Sequence, residues 1–66
     1  MRIIDSNGKE REAESLKRIL QSVPDQIGKA SILVEYVEIV IVGRTRKWKE
    51  WIPVEDFQRL NPSIKI

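Results

Sequence analysis

The chain contains no cysteine and no histidine. Without cysteine there is no disulfide framework, zinc knuckle or thiol nucleophile. Without histidine, the commonest general base and the commonest transition-metal ligand are gone. Only three glycines are present, too few for a phosphate-cradling loop, and Gly43 opens no Walker-type spacing. The longest uninterrupted apolar run is Ile39–Val42, four residues, so no stretch spans a membrane as a helix. Arg2 is followed only by Ile3 and Ile4 before Asp5, which does not read as a secretory signal and points to a cytoplasmic protein.

What is present is a dense mixture of branched aliphatics and charge. The 66 residues are 41% hydrophobic and 33% charged, the balance of a folded chain, and the length predicts one domain over residues 1–66. Ile (10) and Val (6) dominate, alanine occurs only at positions 13 and 30, and Asn and Gln together number five. This texture resembles that of hyperthermophile proteins, small archaeal and viral ones among them, and implies thermal stability. A domain this short buries only about 60% of its unfolded surface. With no disulfide or metal, it needs an efficient core or a partner subunit.

Along the chain, Arg2–Asp5 reads as a short strand. Two readings compete at Ser6-Asn7-Gly8-Lys9. Asn-Gly is a strong hairpin signal, but Lys9-Glu10-Arg11-Glu12 has no β-branched or aromatic residue. Alternatively, Asn7 caps a helix, with Glu10 three residues on. Ala13, Leu16, Leu20 and Val23 recur at helical spacing, and Pro24 then stops the run. The expected element is a helix over Lys9–Ser22 with those four residues inward.

Asp25–Lys29 reads as a loop turning at Gly28. Ser31–Val42 is a long strand. Val34, Tyr36, Val40 and Val42 share one parity with Glu38, while Leu33, Val37, Ile39 and Ile41 share the other with Glu35. Two apolar faces predict a central strand covered, at least in part, on both sides. Gly43–Arg46 is a hairpin loop and Lys47–Ile52 its partner strand, although Trp48 and Trp51 at i, i+3 also allow a helix over Arg44–Trp51. Pro53 opens a short helix, Val54–Leu60, with Glu55 and Asp56 in its first turn. Asn61-Pro62 ends it, and Ser63–Ile66 alternates like an edge strand. The fold class is α+β. The order β-α-β-β-α-β suggests a minimal ferredoxin-like fold with helices on one face of an antiparallel sheet. Taking Asn7-Gly8 as a hairpin gives the alternative, a small SH3-like barrel ending in the short helix.

No residue set suggests catalysis. Asp5-Ser6-Asn7-Gly8 begins like a calcium loop, but its glycine falls at position 4 and no carboxylate follows at position 12. Glu35 and Glu38, three apart on a strand, point to opposite faces. No enzyme activity, metal or cofactor is expected. One asymmetry stands out. Gly43–Trp51 carries Arg44, Arg46, Lys47 and Lys49 against Glu50, a net +3 that exceeds the whole chain's +2, and it holds both tryptophans. Basic side chains follow phosphates and exposed aromatics stack on bases. Lys47, Lys49 and Trp51 share one strand face. Arg44, Arg46, Lys47, Lys49 and Trp51 are therefore the expected contacts for a DNA or RNA backbone, weak and indifferent to sequence. The alternative is a protein-interaction or homodimerisation module, with Trp51 a dimer contact.

Overall fold

The computed structural model describes residues 1–25, 28 and 30–66. It is an α+β domain: a curled, four-stranded antiparallel sheet and one short C-terminal helix. The strands are β1 (Arg2–Ile4), β2 (Glu10–Pro24), β3 (Ser31–Val42) and β4 (Lys47–Pro53), followed by α1 (Val54–Leu60). They lie side by side in chain order. The half-barrel shape fits the small-barrel alternative rather than the ferredoxin-like order.

The main correction concerns the helix expected over Lys9–Ser22, which is instead the 15-residue strand β2. Turn chemistry decides its start. Gly8 N–H donates to Asp5 O (2.9 Å) and Asp5 N–H to Lys9 O (2.9 Å), closing a three-residue loop. Gly8 sits at φ 78°, the left-handed conformation this loop requires. Asp5, 2% exposed, locks the turn. Its Oδ1 accepts from the N–H groups of Asn7 and Lys9, both at 2.9 Å, and its Oδ2 from Arg11 Nε at 3.0 Å. Burial alone would raise the Asp5 pKa. The hydrogen bonds and the Arg11 charge outweigh it and hold the carboxyl below its ordinary range.

The helical spacing itself has a strand explanation. Ala13 pairs with Ile41 and Ser15 with Val40, so Glu14 is an extra residue in a β-bulge. The bulge puts Ala13 and Leu16, three apart, on the same inner side, against Ile41 and Ile39. Beyond it ordinary alternation resumes, so Leu20 lies on the helix side of the sheet and Val23 on the outer side. Leu20 is 60% exposed, not core. Weak local strand propensity is overridden because β2 pairs with β1 on one edge and with β3 along its length.

The core is Ile3, Ala13, Val37, Ile39, Ile41, Ile52 and Phe57, with Leu16, Trp48, Val54, Ile64 and Ile66 packed on it. The helix α1 is only seven residues long and contributes Phe57, fully buried, which closes the concave side. Buried Asn61 ties α1 to the sheet edge: its Oδ1 accepts from Ile4 N–H (2.7 Å) and its Nδ2 donates to Ile4 O (2.9 Å) and Phe57 O (3.2 Å). That side-chain amide occupies the β1 position a further strand would need. Accordingly, the edge strand expected over Ser63–Ile66 is not formed, and Ile64 and Ile66 cover the core from an irregular tail.

The expected hairpin of β3 and β4 is present, with Val42 paired to Lys47, and it excludes a helix over Arg44–Trp51. However, β4 reaches only to Tyr36 on β3, so Ser31–Glu35 pairs with β2 alone. The outer part of the β2–β3 hairpin is thus a two-stranded arm beyond the core. Of the loop expected over Asp25–Lys29, Gln26, Ile27 and Lys29 lie outside the described residues. Gly28 has φ 74° and its N–H donates to Asp25 O at 3.0 Å. No helix among the described residues is long and apolar enough to cross a membrane.

Candidate nucleic-acid interface

The hairpin loop between β3 and β4 closes through Gly43 N–H to Arg46 O (2.8 Å). A Cβ on Gly43 would lie 2.6 Å from Trp48 Cζ3, so the indole packs where only glycine leaves room. Arg44 and Arg46 are exposed at this tip. Arg46 lies over Trp48, its Cζ 5.7 Å from the ring centroid, a cation–π distance. Trp48 is half-buried on the core side, and its Nε1 donates to Glu50 Oε2 at 2.7 Å.

Alternation along β4 sends Lys47, Lys49 and Trp51 to the outer face, away from Trp48, Glu50 and Ile52. The five expected contacts therefore separate into two groups. Arg44 and Arg46 stand at the hairpin tip, and Lys47, Lys49 and Trp51 line the outside of the sheet. Trp51 is 50% exposed. Its ring lies 6.2 Å from that of Tyr36 at a 38° tilt, and its Nε1 donates to Glu38 Oε2 at 3.1 Å.

Neighbouring strands bring acidic residues to this outer group. Lys47 Nζ pairs with Glu14, the bulged residue of β2, and Lys49 Nζ lies 3.8 Å from Glu38 on β3. Exposed pairs of this kind are individually weak, but they offset the positive charge concentrated in the sequence. Arg44 has no ion-pair partner among the described residues.

The tip gains two arginines that the linear sequence keeps far away. Arg2 and Arg11, with Arg44 and Arg46, line a shallow groove of about 560 Å³ floored in part by Trp48. Glu10 and Glu12 share this groove, 3.5 and 3.8 Å from the Arg2 guanidinium. Arg11 is committed to Asp5. The only sequence signal for this convergence was the Asn-Gly turn, which sets Ile3 opposite Arg11. Among the described residues, no three acidic, histidine or cysteine side chains come together as a metal site. Compared with known proteins, the chain matches no family model, no curated protein and no solved structure.

Proposed function

We propose that this protein is a non-catalytic binding module that contacts a nucleic-acid backbone, weakly and without sequence preference, through the β3–β4 tip. The observation that carries this reading is Arg44, without an ion-pair partner among the described residues, beside Arg46 at an exposed tip, in a groove also lined by the carboxylate-paired Arg2 and Arg11. Guanidinium groups suit phosphate because their donors match its oxygens in pairs. Nothing on the tip resembles a base-edge reader, so the contact positions without specifying.

Among the described residues, neither Arg44 nor Arg46 forms an ion pair with a carboxylate, whereas Lys47 and Lys49 both do. Two phosphate contacts give a log–log salt slope of about −2 on duplex DNA. Recruiting Lys47 and Lys49 away from Glu14 and Glu38 steepens it to about −4. The test is titration of duplex and single-stranded DNA and RNA at low salt, repeated at rising salt. Arg44→Ala with Arg46→Ala is expected to abolish most of the slope while leaving the melting curve in place. No binding to any of these polymers at low salt rejects the proposal.

A further inference from the structure

We infer that the outer face of the sheet is an interface between two copies of this chain, packed sheet against sheet. The first observation is excess surface. A monomer of 7.7 kDa is expected to expose about 4,300 Å². This one exposes 5086 Å², an excess of about 750 Å². Each partner in a standard protein–protein interface buries about 800 Å². The surplus is therefore the size of one side of a stable dimer.

The second observation is location. Part of the exposed apolar surface lies on the outer face, while Leu20 and Leu33, 60% and 72% exposed, lie on the helix side of the arm. On the outer face, β3 presents Ile32, Val34, Tyr36 and Val40 in one line, flanked by Ile19 of β2 and Trp51 of β4. Ile32 and Trp51 are each 50% exposed. The helix α1 covers only the opposite face, whereas a strand apolar on both sides belongs between two layers. Two aligned sheets pack about 10 Å apart with side chains interleaved, and a two-fold axis makes the same patch serve both copies.

Charge favours a second copy over a polyanion here. The cations Lys17, Lys47 and Lys49 share the outer side with Glu14 and Glu38, so the face is nearly neutral and does not repel itself. Glu38 already accepts from Trp51 Nε1 and lies 3.8 Å from Lys49 Nζ. It can be covered without stranding an unpaired charge. Such a dimer covers Lys47 and Lys49 but leaves Arg44 and Arg46 at the tip outside the interface, so it is compatible with backbone contact through those two arginines alone.

Sedimentation equilibrium on the full chain, from low to high micromolar, tests it. The expected mass is twice the 7.7 kDa of one chain. Val34→Lys and Trp51→Ala are each expected to weaken association about tenfold or more. Leu33→Lys, one residue away and on the opposite face, is expected to leave the dimer intact. Amide NMR spectra of each variant establish that it is folded. A wild-type chain that stays at 7.7 kDa up to high micromolar concentration overturns the inference. So does dissociation by Leu33→Lys with Val34→Lys still dimeric. A monomer whose Trp51 is shielded from quencher only when single-stranded nucleic acid is added also overturns it, and gives the face to stacking.

Discussion

Asp5 does two jobs with one carboxylate. It receives two backbone N–H groups inside the turn and fixes Arg11 on the next strand. Its pKa is lowered in the folded state, so the ionised form stabilises the fold. That stabilisation is complete above the unfolded-state value of about 3.9 and disappears as pH falls through the lower folded-state value. Asp5→Asn removes the charge and cannot satisfy both N–H donors and the guanidinium equally well. Chemical denaturation of both proteins should show wild type well ahead at pH 7, with the gap narrowing at pH 3. A gap that stays constant across that range would show that Asp5 is not the titrating group. The sequence made this residue look like a turn or the start of a metal loop. Its burial was not legible, because the Arg11 that partners it becomes a neighbour only once β1 and β2 pair.

At the scale of elements, the sequence was legible wherever one pattern had one explanation. Alternation in Lys47–Ile52 placed Lys47, Lys49 and Trp51 on one face, and β4 carries them there. Pro53 and two acidic residues marked the start of α1, and the helix begins at Val54. The 10–24 segment had two explanations. Its apolar spacing of three imitates a helix, and a β-bulge at Glu14 produces the same spacing within a strand. Nothing local separates the two, since the decision lies in register with β3. Leu20 measures the difference. In a helix it would be core, whereas here it is 60% exposed. Leu20→Ala is expected to change stability by less than about 0.5 kcal/mol in the dissociated chain. Ile39→Ala, at a fully buried position, is expected to cost about 2–5 kcal/mol. Urea denaturation of the two variants side by side checks the assignment, and equal losses would restore the helix. The same dependence on register hid the acidic partners of the basic strand. A net charge of +3 over nine residues is visible in the sequence. That Glu14 and Glu38 come to lie beside Lys47 and Lys49 is a property of strand pairing.

The whole molecule is long for its mass, and that shape links the fold to the proposed partner. A compact chain of 66 residues has a radius of gyration of about 10.8 Å. Here it is 13.2 Å, with extents of 41 × 27 × 19 Å. The difference comes from the β2–β3 arm, which runs past the end of β4 with neither face covered by another layer. An isolated two-stranded ribbon is marginal in water, and this one carries Leu20, Ile32 and Leu33 in exposed positions. Two outcomes are physically distinct for the dissociated monomer. Either strand pairing continues from the rigid body and holds the arm out, or the arm collapses onto the body to hide its aliphatics. The twelve-position register between β2 and β3 favours the first, because an arm folding back would have to break several cross-strand hydrogen bonds together, each with a modest net value. X-ray scattering from dilute Val34→Lys monomer should therefore give a radius of gyration near 13 Å, matching the 13.2 Å of the extended form. A value near the compact limit of about 11 Å would mean that the arm closes when no second copy covers it, and that dimerisation then has to open it first.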